Sequence, residues 1–167
     1  MDFDTAFDLL ISNEGKLSMD RKDRGNWTSG AVGVGELKGS MYGISAMSYP
    51  TLDIKNLTLS DAKVIYKRDF WDQMKLSLLP PEICFDMFDT AVNSGVGRAI
   101  KLLQKTVGTA EDGIIGSKTI SLSHSTEDLS KKFNGNRLLF MTNLSTWADQ
   151  GKGWARRIAH NLLLENL

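Results

Sequence analysis

FDTAFDLLISNEGKLSMDRKDRGNWT, residues 3–28, reads as an amphipathic helix running into a polar loop. Phe3, Phe7, Leu10 and Ile11 recur at helical spacing, and a further step of about 100° per residue carries Glu14 onto the same apolar stripe. Gly15 suits the left-handed position that closes a helix, so the helix is expected over 4–14. A carboxyl group on that stripe faces the interior. Burial without a cation raises its pKa, so Glu14 is expected to hold its proton near neutral pH and to be able to donate it. The loop that follows carries Asp20, Asp23, Trp27 and Thr28.

Outward from this stretch the chain is mostly helical. Residues 25–43 hold six glycines in nineteen positions and little periodicity, which predicts a loop or small hairpin. A short helix is expected from Ser45 to Pro50, and Thr58 with Asp61 predicts a capped helix continuing through Ile65 and Tyr66 to about Phe70. Pro80 and Pro81 start the next helix, whose inward stripe is Ile83, Met87, Phe88, Ala91 and Val92; it reads as the central one. Ala99, Leu102, Leu103 and Val107 form another stripe that stops at Gly108. The chain turns at Asp112 and Gly113 and becomes helical again near Ser117. Further helical stretches are expected around Leu129 and Phe133, from Leu138 to Trp147, and from Trp154 to Leu164. The expected architecture is mainly α, a compact bundle of seven to nine helices with a glycine-rich loop or small hairpin beside the site.

A chain of 167 residues supports one good core, or a core with a small appended module. Its 20 basic and 20 acidic residues cancel, so nothing marks the whole molecule as a nucleic-acid binder. Residues 131–160 are locally basic: Lys131, Lys132, Arg137, Lys152, Arg156 and Arg157 face only Asp149. Such a run serves an anionic polymer or is a solvated helix face. Cys84 has no partner for an intramolecular disulfide and is expected to be buried and inert. The first residues carry Asp where a secretory signal carries Lys or Arg, and no apolar run approaches a membrane span, so stable membrane insertion is not expected. His124 and His160 lack metal-site spacing, and neither a GxSxG nor a Walker motif occurs.

Glu14, Asp23 and Thr28 are nine and five positions apart. Glycosidic cleavage requires a carboxylic acid to protonate the leaving oxygen and a carboxylate across the bond, with different pKa values. An interior Glu and an Asp in a wet, glycine-lined loop meet that requirement, and a Thr hydroxyl can both donate to and accept from water. The spacing resembles the Glu, Asp, Thr triad of small phage lysozymes. The strings EGK at 14–16, DRKDRGNWT at 20–28, YGIS at 42–45, IYKRDFWD at 65–72 and FDTAVNSG at 88–95 resemble more closely the family 108 glycoside hydrolases, phage and bacterial N-acetylmuramidases. Lys16 and Leu17 stand where that pattern has Gly and Tyr, and AVGVGELKGS at 31–40 is a glycine-rich insertion. Asp20 and Asp23 both match acidic positions; the lysozyme-like spacing favours Asp23, with Asp20 organising the loop. NSGVGRAIKLLQKTVGTAEDGIIGSKT at 93–119 resembles a peptidoglycan-binding module through Leu103, Gln104, Asp112, Gly113, Gly116 and Thr119, a pattern that packing alone also explains.

The resemblance implies a lysozyme-like α+β fold, with a muramidase region over 1–92 and a helical peptidoglycan-binding-like region over 93–167, packed together or as one domain. It implies hydrolysis of the β-1,4 bond between N-acetylmuramic acid and N-acetylglucosamine, inverting if the two carboxyls are about 6.5 to 9.5 Å apart and retaining at about 5 Å. Glu14 is the expected acid, Asp23 the base or water positioner and Thr28 the water orienter. Trp27, Tyr42, Ser45, Asn93 and Asp20 are candidates for substrate contact. The alternatives are a lytic transglycosylase using Glu14 alone, or a non-catalytic wall-binding virion component. The expected partner is bacterial peptidoglycan, met by a monomer without cofactor or metal and without nucleic acid. As an endolysin it would wait in the host cytoplasm for a separate holin-type pore before acting at the wall in the periplasm.

Overall fold

The computed structural model describes residues 1–11 and 16–164. Among them are seven α-helices: α1 (Phe3–Ile11), α2 (Leu59–Tyr66), α3 (Pro81–Ser94), α4 (Val96–Val107), α5 (Ser117–Ser125), α6 (Leu129–Thr142) and α7 (Trp147–Leu164). One two-stranded antiparallel sheet, β1 (Ser40–Met41) with β2 (Ile44–Ser45), completes a mainly helical, lysozyme-like fold. The chain divides into two compact units, one of Phe7–Lys67 and one of Met1–Ala6 with Arg68–Leu167. Residue 92 lies inside α3, within a single unit.

The larger unit is built around α3. Pro81 occupies its first turn, where a missing N–H costs nothing, and every residue from Ile83 to Ala91 is buried. Helices α4 and α6 pack against α3, and α7 packs on α6. Phe3, Trp71 and Phe88 meet edge to face with ring centroids 5.5 to 6.0 Å apart, the geometry favoured by the ring quadrupoles. Cys84 is buried, its thiol directed at the carbonyls of Leu76 and Pro80, and burial pushes its pKa to about 11.

A polar seam runs through this unit. Arg137 is fully buried beside Asp89, with Nη1 2.8 Å from Oδ2, a close ion pair whose N–H directions are not aimed at the carboxylate. Arg157 Nε donates to the other Asp89 oxygen at 2.5 Å and Asn161 Nδ2 to Oδ2 at 3.1 Å. One turn earlier on α3, the Ser130 hydroxyl donates to Asp86. Arg137 and Arg157 therefore leave the basic run expected over 131–160, and Lys131 pairs with Asp128. Lys131, Lys132, Lys152 and Arg156 remain exposed.

In the smaller unit, Phe7 and Leu10 of α1 are buried, and Phe7 meets Tyr66 of α2 edge to face at 5.8 Å. The Thr58 hydroxyl and Asp61 carboxylate form the expected reciprocal cap at the start of α2. Beyond Tyr66 the helix widens into a π-turn over Lys67–Asp72. The short helix expected from Ser45 to Pro50 does not form. Ile44 and Ser45 pair with β1, and the amides of Ala46 and Met47 donate to the carbonyls of Gly39 and Gly25 instead of to a helix.

The two helical stretches expected over 138–164 also divide differently. Helix α6 ends at Thr142 and α7 begins at Trp147, passing through Gly151 and Gly153. Gly151 serves as a point of close approach: a Cβ there would stand 2.6 Å from the Trp147 ring. Trp147, Gly151, Trp154, Ile158 and Asn161 recur at helical spacing, and the two indoles lie 6.2 Å apart, half-buried, so this aromatic pair is packing.

Candidate functional site

Glu14 lies outside the described residues. The other half of the expected constellation lies in the smaller unit, where DRKDRGNWT folds as two successive side-chain-to-backbone turns. Asp20 Oδ1 accepts from the amide of Lys22 at 2.9 Å, and Asp23 Oδ1 accepts from that of Gly25 at 2.8 Å, capping the 3-10 turn Arg24–Asn26. Short acidic side chains favour this bond to a backbone N–H two residues on. The two aspartates are thus held by the same device. Asp20 does more for the loop, its carbonyl accepting from Asp23 N and from Asn26 Nδ2. Both carboxylates are exposed, and Asp23 Oδ2 carries no hydrogen bond among the described residues.

Thr28 stands across a narrow hairpin from Glu36. Its N–H donates to the Glu36 carbonyl at 3.0 Å, and its Oγ1 accepts from the Glu36 amide at 2.9 Å. One lone pair of the hydroxyl is thereby engaged, which fixes the rotamer and leaves the hydroxyl proton and a second lone pair for another group. Gly35 makes the approach possible. It holds φ +78°, and a Cβ there would lie 2.6 Å from Thr28 Oγ1.

Trp27 pairs with Leu37 on the same hairpin and donates from Nε1 to the Arg21 carbonyl at 3.0 Å. The half-buried indole is therefore pinned over the aspartate loop. Tyr42 adopts φ +51° in the β1–β2 turn, and its carbonyl accepts from the Tyr66 hydroxyl at 2.9 Å. Ser45 Oγ is engaged by Ser48, accepting from its amide at 3.3 Å and bonding its hydroxyl at 3.2 Å, which makes it a turn residue. Asp20, Asp23, Trp27, Thr28, Tyr42 and Ser45 all belong to the smaller unit. Asn93 belongs to the larger one, exposed near the end of α3, with Oδ1 accepting from Ser94 Oγ at 3.1 Å.

Asn26, which the sequence reading passed over, organises this region. It is fully buried; its carbonyl accepts from the amides of Lys38 and Gly39, and its Nδ2 donates to the Asp20 carbonyl at 3.0 Å. It ties the aspartate loop to the hairpin that carries Thr28. A lone Asn in a polar loop offers no periodicity from which burial is legible.

The LQ and DGxxGxxT strings are knitted together internally. Gln104 Nε2 donates to Asp112 Oδ1 at 2.6 Å and to the Ile114 carbonyl at 3.0 Å, while Gly113 N donates to Gln104 Oε1 at 2.9 Å. The Gln104 bond, followed by that from Ile114 N, holds the Asp112 carboxyl below the usual carboxylate range. These side chains join the end of α4 to the turn before α5.

Among the described residues no group of three or more His, Cys, Asp or Glu side chains is placed to hold a metal ion, and no helix is long and apolar enough to cross a membrane. Residues 7–95, which are 89 of the 167, match the model of the family described as Glycosyl hydrolase 108. The structure of Brucella abortus SagA is similar, with a TM-score of 0.81 and 27% sequence identity over 98% of this chain and 92% of that one. No curated protein matches the chain in sequence.

Proposed function

Because the chain belongs to glycosyl hydrolase family 108, we propose that it is a muramidase hydrolysing the β-1,4 bond between N-acetylmuramic acid and N-acetylglucosamine in bacterial peptidoglycan. The match over residues 7–95 carries this reading, because it spans Glu14, Asp23 and Thr28 together. Glu14 protonates the glycosidic oxygen as the bond breaks. Asp23, exposed and with one oxygen unengaged, positions a water or takes its proton from the opposite face of the sugar. Thr28, its rotamer set by the Glu36 amide, donates its remaining proton or accepts from that water. Trp27 offers an indole face to a sugar ring.

In the same proposal the protein is an endolysin. It accumulates as a monomer in the host cytoplasm, crosses the membrane through a separate holin-type pore, and reaches the wall in the periplasm. The region over 93–167 adds affinity for peptidoglycan through surfaces other than the Gln104 knot, whose hydrogen bonds are internal.

The test is turbidity loss of purified peptidoglycan with mass analysis of the fragments. Glu14→Gln is expected to lower the rate by about 10²- to 10⁴-fold, the usual contribution of a general acid, and Asp23→Asn to lower it severely as well. Fragments from wild type should end in ordinary reducing sugars. Anhydro products with an active Asp23→Ala would mean a lytic transglycosylase, and equal behaviour of wild type and Glu14→Gln would remove the catalytic reading altogether. Synthesis in the cytoplasm with and without a membrane pore tests the endolysin role, with lysis expected only with the pore.

A further inference from the structure

The smaller unit carries a depression of about 330 Å3, near the lower end of the range for small-molecule sites. Among the described residues, Met19, Leu37 and Ile54 give it an apolar lining, and Glu36, Lys38, Asp53 and Lys55 add acidic and basic side chains. None of the described lining residues is aromatic. Two of the charges are fixed in place. Lys38 Nζ donates to the Pro50 carbonyl at 2.9 Å and lies 3.5 Å from Glu36, while Asp53 Oδ2 accepts from Asn56 Nδ2 at 2.8 Å. The other two reach outward: the Glu36 side chain is 71% exposed, and Lys55 has no hydrogen bond or ion pair among the described residues.

The depression adjoins the candidate catalytic loop along the chain on two sides. Met19 directly precedes Asp20, and Glu36 is the residue whose N–H and carbonyl hold Thr28. Sugar rings stack on aromatic faces, which the described lining does not offer. Paired cations and anions over an apolar floor suit a ligand bearing both ammonium and carboxylate groups on a short aliphatic chain.

We infer that this depression receives the peptide stem of the glycan substrate, with Lys38 and Lys55 meeting its carboxylates and Glu36 and Asp53 meeting the ammonium group of its diamino acid. The inference rests on the peptidoglycan reading above, since the stem hangs from one of the two sugars that flank the cleaved bond. It makes the enzyme selective for stem-bearing strands over bare glycan.

Two measurements test it on the full chain. In the first, a soluble stem tetrapeptide with a diamino acid at its third position is titrated while backbone amide shifts are followed. Shifts are expected at residues 19, 36–38 and 51–55, and Lys55→Glu, which breaks no bond of the fold, should weaken binding about fivefold or more, as expected for replacing an attractive charge by a repulsive one. In the second, hydrolysis of stem-bearing peptidoglycan is compared with hydrolysis of strands stripped by an amidase. Lys55→Glu should raise KM on the first and leave the second unchanged. Peptide shifts that avoid the depression, or equal loss on both substrates, would overturn the inference. Peptide binding without hydrolysis of either substrate by wild type would instead remove the muramidase reading and leave a stem-binding protein.

Discussion

Asp86 and Gly35 show how much single positions depend on what surrounds them. Asp86 sits 3% exposed on the buried side of α3, and burial lifts its pKa to about 6 against the pull of Ser130, Asn134 and Arg137. The unfolded chain has that group at 3.8, so between pH 4 and 6 the folded state binds more protons than the unfolded state, and stability falls as pH rises. Above pH 6 the cost is on the order of 3 kcal/mol. Asp86→Asn should remove it. In urea unfolding, the gain over wild type is expected to be near zero at pH 4 and to grow towards that figure by pH 7; a gain independent of pH would mean that Asp86 is ionised throughout. Gly35 acts through the site. Gly35→Ala forces a side chain into φ +78° and against the Thr28 hydroxyl, at a cost of about 1 to 3 kcal/mol. Wall hydrolysis should fall further than the loss in Tm accounts for, because the displaced group is Thr28 itself.

At the scale of elements, α7 and α2 give predictions that propensity alone would get wrong or miss. Both Gly151 and Gly153 interrupt α7, and alanine is worth about 1 kcal/mol more than glycine in a helix interior. A Cβ at Gly153 meets nothing within 4 Å, so Gly153→Ala should raise stability by up to about that amount. At Gly151 the same atom would strike the Trp147 ring, and Gly151→Ala should destabilise by about 1 to 3 kcal/mol despite the better propensity. Paired thermal melts decide it, and equal shifts for the two variants would contradict the packing described for α7. Thr58→Ala should cost α2 about 1 kcal/mol through loss of its cap, read in the same melts.

For the molecule as a whole, the electrostatic centre of the larger unit is Asp89 with Arg137 and Arg157. Arg137→Ala removes the fully buried partner of the pair and leaves the Asp89 carboxylate with only Asn161 and the partly exposed Arg157, so it is expected to cost about 3 to 5 kcal/mol in denaturant unfolding. The half-exposed Arg157 should cost much less, because water can replace it. A loss at Arg157 as large as that at Arg137 would show the seam to be held as a single network.

The helical pattern was legible from periodicity and punctuation. Pro81, Gly108 and the Thr58 and Asp61 pair mark the ends of α3, α4 and α2 because their effect is local to one or two turns. The motif strings between residues 14 and 95 pointed to the glycosidase family whose model matches residues 7–95, because such strings keep a fixed order along the chain. Tertiary structure alone decided that Ser45 joins a strand, that Asn26 is buried, that Gly35 touches Thr28, and that Arg137 lies in the core. Each of those outcomes depends on a partner beyond the reach of one helical turn, from Ser40 for Ser45 to Asp89 for Arg137. The chain on its own sets local conformational preference and apolar rhythm, whereas burial of a polar group becomes affordable only when folding brings its partner within hydrogen-bonding distance.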